Sequence, residues 1–182
     1  MTQELYEKLQ SGRRKYQRER TEKRLLFEKN IFNEGIAEIG KLTKREIFLI
    51  GVSLYWAEGF KHKDESSLGL ATMDKKMAMF YITWLRECLG IENDRLSFRV
   101  TANILYANKI DVMEKYWSNS LGVKVDQFAK PFYQKSKQNR TYTNSDKYFG
   151  VLRIRVRKSI NILRKMRGWM TGMALARLDD KI

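Results

Sequence analysis

Residues 151–158, Val-Leu-Arg-Ile-Arg-Val-Arg-Lys, alternate strictly, so that Leu152, Ile154 and Val156 point one way and Arg153, Arg155 and Arg157 the other. This predicts a strand with one apolar and one cationic face. Residues 95–101, Arg-Leu-Ser-Phe-Arg-Val-Thr, repeat the pattern, with Leu96, Phe98 and Val100 inward and Arg95, Ser97, Arg99 and Thr101 outward. Elsewhere the period is helical. Thr43-Lys44-Arg45-Glu46 is a capping box ahead of the apolar run from Ile47, and it predicts a helix running to Gly59. Asp74 caps a second helix, with Met77, Phe80 or Tyr81, Trp84 and Cys88 on its inner face and Gly90 at its end. A third, from about Asn108, carries Ile110, Met113, Trp117 and Leu121 and stops at Gly122. The last carries Ile160, Leu163, Met166, Met170 and Met173, with Gly168 and Gly172 as small positions for close packing.

Between the first two of these helices, residues 60–63 and 67–72 read as two short strands joined by a polar turn. From Lys124 to Asn144 periodicity is lost around Pro131, and a long polar loop is expected. Residues 1–39 are dense in Arg, Lys and Glu, with sparse apolar positions at Leu5, Leu9, Leu25, Phe27, Ile31, Phe32, Ile36 and Ile39 and no proline. They predict a helical arm whose weakest point is Ser11-Gly12. The organisation is therefore a basic helical arm over residues 1–42 and an α+β domain over 43–182. In that domain an antiparallel, saddle-shaped sheet carries helices on one face and leaves the other face basic.

Composition narrows the chemistry. The 182 residues are 43% hydrophobic and 12% aromatic, enough for a buried core in one domain. Cys88 stands alone and His62 is the single histidine, which excludes an intramolecular disulfide framework, a structural zinc site and any reaction needing a His/Cys pair. Any catalysis falls to carboxylates, lysines and a hard metal. The longest apolar runs are too short to span a bilayer and the first residues are charged, so the expected location is the cytoplasm, nucleoid-associated when bound.

The net charge of +15 points to a phosphate-rich partner. Lys124 to Arg167 alone holds 13 Lys or Arg against 2 acids, including Lys135, Lys137 and Arg140 in the loop and Lys158 after the last strand. Two strands showing the same sign outward, with Ser97 and Thr101 as further donors, suit double-stranded DNA, whose phosphates attract cations and whose base edges accept from Arg, Ser and Thr. Arg13, Arg14, Lys15, Arg18 and Arg20 on the arm form either a second phosphate grip or a solvated face.

The first helix of the domain ends in Ser53-Leu54-Tyr55-Trp56-Ala57-Glu58-Gly59. Ser53 and Ala57, four apart, make a small ridge along which another helix can approach closely, and Glu58 lies at its tip. If two copies met along that ridge, two Glu58 carboxylates would converge beside two basic sheets, a geometry suited to holding Mg²⁺ against phosphates. This stretch resembles the motif helix of the LAGLIDADG homing endonuclease family, with Ser53 at the first motif glycine, Leu54, Tyr55, Trp56 and Ala57 following, Glu58 at the metal-binding acid and Gly59 at the final glycine. Ser replaces a packing glycine, Tyr55 and Trp56 are bulkier than the usual residues, and Glu replaces Asp.

The resemblance implies an αββαββα core over about residues 43–178, with an additional helix before the last strand. It further implies a sheet lying in the DNA major groove, Mg²⁺-dependent cleavage of both strands with Glu58 as catalytic metal ligand, and action as a homodimer through Ser53 and Ala57. Lys61, Lys63 and Lys158 are positional candidates for the family's catalytic lysine, besides being cationic contacts. Two other functions fit the same core: a DNA-binding regulator that does not cleave, and an RNA-binding intron-splicing factor.

Overall fold

The computed structural model describes residues 2–135 and 147–176, and the chain divides into two units, Met1–Leu42 and Thr43–Ile182. The first unit is a single helix, α1 (Gln3–Ile39), of 37 residues. At the α-helical rise this is about 56 Å long. It runs unbroken through Ser11-Gly12, where the Ser11 hydroxyl donates to the Lys8 carbonyl (2.8 Å). None of its residues is buried.

The second unit opens with α2 (Lys44–Glu58). Its capping box is formed in both directions: the Glu46 N–H donates to Thr43 Oγ1 (3.3 Å) and the Thr43 N–H to Glu46 Oε2 (2.6 Å). These bonds satisfy donors that the first turn cannot pair internally. Then follow β1 (Gly69–Thr72), α3 (Lys75–Leu89), β2 (Leu96–Asn103), α4 (Ile110–Leu121), β3 (Phe132–Gln134), β4 (Val151–Val156) and α5 (Ile160–Leu175). Asp74 caps α3 by accepting from the N–H groups of Lys76 and Met77, and Gly90 ends it in the left-handed conformation. Short 3₁₀ turns at Asn93–Arg95, Ile104–Lys109 and Val125–Gln127 link some of these elements. The helix expected from Asn108 thus begins at Ile110, after a 3₁₀ lead-in.

The sheet order is β1-β4-β2-β3. β4 pairs antiparallel with both β1 and β2, whereas β3 lies parallel to β2. The sheet is therefore mixed, a correction to the all-antiparallel expectation. A parallel neighbour requires a crossover connection, and α4 supplies it. The polar stretch after Lys124 hides β3 because it has only three residues and none of them is buried. The strand expected at residues 60–63 is also absent. Only Gly59 bridges to Leu70, with the Phe60 N–H donating to the Gly69 carbonyl (2.9 Å), and the chain then turns so that Glu65 and Ser67 face β4 instead of extending the ladder.

Register divides the sheet residues into two sets. Leu70, Ile154 and Phe98 lie in one row, Thr72, Leu152 and Val100 in the next, and Val156 with Leu96 in a third. All of these but the polar Thr72 belong to one core with Val52 and Tyr55 of α2, Tyr81, Trp84 and Leu85 of α3, Met113 and Trp117 of α4, and Leu163 and Met166 of α5. Trp117 also donates from its indole to the Phe149 carbonyl (2.8 Å). The approach of α2 to α3 needs a glycine. A Cβ on Gly51 would overlap the Trp84 ring, so this residue, two before Ser53, is the small position that packs inside the unit. Among the described residues, no helix is long and apolar enough to cross a membrane.

Candidate functional site

The outer set of sheet residues gathers the cations. Arg155 stands opposite Ser97 on β2 and Gly69 on β1, and Arg153 opposite Arg99 and Ala71. Ser97, Phe98, Arg99, Arg153 and Arg155, with Ala129 from the segment beside β2, line a concavity of about 290 Å³. Ala129 is held there by its N–H, which donates to the Phe98 carbonyl (2.7 Å).

The two rows differ in their partners. Arg155 donates from Nη1 to Glu65 Oε1 (2.7 Å) and to Ser67 Oγ (2.6 Å), and from Nη2 to Glu65 Oε2 (3.1 Å). Burial alone would raise the Glu65 carboxyl, but hydrogen bonds from Arg155 and Ser67 and the guanidinium charge outweigh it and hold it below the ordinary value. Arg153 and Arg99 have no acid partner among the described residues. Burial first, and then the charges of Arg155 and Arg99, press the Arg153 pKa below the ordinary arginine value, with Glu65 offsetting part of this. Like charges directly opposite on paired strands destabilise a sheet.

Phe60 ties this face to the end of α2. The Arg153 guanidinium lies 4.4 Å and that of Arg155 4.8 Å from its ring centroid, distances at which a cation is attracted to an aromatic face. The Tyr55 hydroxyl donates to the Phe60 carbonyl (2.6 Å), and the ring packs close to Gly69, where a Cβ would collide with the Ile154 carbonyl and meet the ring at 2.9 Å. Tyr55 is buried, and burial, followed by the Glu65 charge, pushes its hydroxyl up to about 12, so it remains a donor.

Other expected contacts are placed differently. Thr101 is buried rather than open to a partner, paired on both sides with Val151 and Phe132, and its Oγ1 has no hydrogen-bond partner among the described residues. Arg95 turns its Nη2 back onto the carbonyls of Arg157 and Lys158 (3.0 Å each), bracing the turn in which Lys158 adopts a positive φ of 51°. Arg157, Lys158, Lys63 and Lys135 are exposed. Lys61 caps α2, its Nζ donating to the carbonyls of Trp56 (2.5 Å) and Ala57 (3.2 Å), so its charge sits where the helix dipole favours a cation. Lys137 and Arg140 lie outside the described residues.

Ser53, Trp56, Ala57 and Glu58 are all exposed on α2, and the Ser53 hydroxyl donates to the Leu49 carbonyl (2.9 Å). Among the described residues, no group of three or more His, Cys, Asp or Glu is placed to hold a metal ion. Glu58 would be a single-carboxylate ligand, which fits Mg²⁺ only when phosphate oxygens, waters or a second carboxylate complete the shell. Phe60, Glu65, Ser67 and Ala129 are site residues that sequence patterning does not reveal. The one available signal is an acid, Glu65, inside a strongly basic chain. No family model matches the chain, and no curated protein and no solved structure is similar enough to it to count as a match.

Proposed function

We propose that the protein binds double-stranded DNA through the outer face of its sheet, with Arg99 and Arg153 at the centre of the contact. The observation that carries this reading is the direct opposition of Arg99 and Arg153 across paired strands, with no acid beside them among the described residues. A polyanion supplies the missing negative charge, and Ser97 adds a donor on the same face. The concavity is lined by hydrogen-bond donors of Ser97, Arg99, Arg153 and Arg155, groups suited to recognising a polyanion. Duplex DNA ranks above RNA because the aromatic ring beside the paired arginines, Phe60, is already covered by two guanidiniums and is not open for base stacking.

The LAGLIDADG-like core is part of the same proposal. Its supports are α2 ending in Glu58-Gly59, the bridge from Gly59 to β1, and two long cationic strands, β2 and β4. The parallel strand β3 and the single strand after α2 depart from the family's αββαββα pattern. Cleavage as a homodimer is the second reading. It is favoured by the exposed Ser53–Ala57 ridge that ends in Glu58, where a second copy would bring a second carboxylate to share Mg²⁺ with scissile phosphates. Binding without cleavage asks only for groups already gathered on the sheet and is the better supported of the two.

Competition between a mixed-sequence duplex and a structured RNA at matched salt tests the first reading, and preference for RNA overturns it. Incubation of a randomised duplex library with Mg²⁺ separates binding from cleavage. Strand scission that vanishes in Glu58→Gln with binding retained would promote the second reading over the first.

A further inference from the structure

We infer that Glu65 withholds Arg155 from the bound polyanion, so that Arg155 acts as a positioning residue while Arg99 and Arg153 make the contacts. This rests on the duplex-binding reading above. The Glu65 side chain is 11% exposed and faces Arg155 with both oxygens, occupying the two-pronged geometry by which a guanidinium would grip a phosphate or the edge of guanine. Ser67 takes a further bond from Nη1, and Phe60 covers one face of the group. For a phosphate to take the Nη1–Nη2 edge of Arg155, it must leave a nearly buried carboxylate without its cation, and removing one partner of such a pair is costly. Neither Arg99 nor Arg153 carries that penalty.

What the held Arg155 does is local. It stands two pairs along the ladder from the Arg153–Arg99 row, the next position on the same face, shares the Phe60 ring with Arg153, and adds to the positive field on that residue. A third free guanidinium would add a sequence-independent phosphate contact and so raise affinity for any duplex alike.

The test uses the full chain and a fluorescent duplex of mixed sequence, with affinity measured across a series of NaCl concentrations. The slope of log affinity against log salt changes by about 0.9 for each phosphate that the protein neutralises. Arg153→Gln is expected to flatten the slope by about that amount. The charge-neutral double variant Glu65→Gln/Arg155→Gln is expected to keep the wild-type slope, although it removes a cation from the same face. Flattening in the double variant equal to that in Arg153→Gln overturns the inference and leaves the duplex-binding reading standing. A wild type that fails to bind duplex overturns both.

Should the double variant fail to fold, Glu65→Ala gives the answer from the other side. Releasing Arg155 is expected to steepen the slope by about 0.9 and to tighten binding to unrelated sequences alike. An unchanged slope in that variant contradicts the inference. A merely structural role for the pair would alter stability and leave the slope of Glu65→Ala where it was, so the slope of that variant separates the two.

Discussion

The two faces of one sheet are built from alternate residues of the same strands, yet they follow opposite rules. On the inner face Leu70, Phe98 and Ile154 are fully buried in a common core. On the outer face the same strands carry Ser97, Arg99, Arg153 and Arg155 around an open concavity. Within that outer face, the row with an acid is internally satisfied and the row without one is not. Stability is concentrated on one side of the sheet and uncompensated positive potential on the other, so changes on each side are expected to separate folding from binding.

The largest expected effect lies on the inner face. Ile154→Ala removes a fully buried side chain in the central strand and is expected to cost about 2–5 kcal/mol in denaturant unfolding. A loss below about 0.5 kcal/mol, the range of ordinary surface substitutions, would show that the core does not depend on this strand. Next is the satisfied row. Arg155→Met strands the nearly buried Glu65 carboxylate and is expected to cost about 1–3 kcal/mol, much of it restored by adding Glu65→Gln. No recovery in the double variant would mean that the pair is not coupled.

Acid tests the same row with a smaller signal. Because the folded-state pKa of Glu65 is depressed, the stability it contributes is complete above its unfolded value of about 4.5 and is lost as pH falls through the lower folded value. Wild type is therefore expected to lose more stability than Glu65→Gln/Arg155→Gln across that window, and parallel pH profiles would argue against the pair. The smallest effect belongs to the unsatisfied row. Arg99→Gln relieves a like-charge opposition and is expected to leave stability unchanged or raise it by about 0.2–1 kcal/mol, as read by thermal unfolding. A clear loss would mean that Arg99 has a structural partner.

Much of this contrast is legible in the sequence, for physical reasons that also mark where legibility stops. β2 and β4 declare themselves because one face is core and the other open, which imposes a strict period of two. The starts of α2 and α3 are fixed by Thr43, Glu46 and Asp74, whose side chains satisfy the first backbone donors locally. β3 is hidden because a three-residue edge strand has no buried face to pattern. The Arg155–Glu65 pair is hidden because its members are 90 residues apart, so each arginine of the 151–158 run looks equally free. Arg95 departs from its expected place for the opposite reason. It sits just before β2, where alternation gives way to a turn whose carbonyls capture it. Ser53 and Ala57 are visible as small residues, but the inward small position of α2 is Gly51, and only the Trp84 ring across from it reveals that.

The most direct check of the outer face is duplex affinity measured against salt for wild type and the double variant Arg99→Gln/Arg153→Gln, with folding confirmed for both. Expected is tight, steeply salt-dependent binding by wild type and, in the variant, a slope flatter by roughly 1.8, two phosphates at about 0.9 each, with unfolding stability retained. Equal affinity and equal slope in the two proteins would contradict the assignment of this sheet face to nucleic acid.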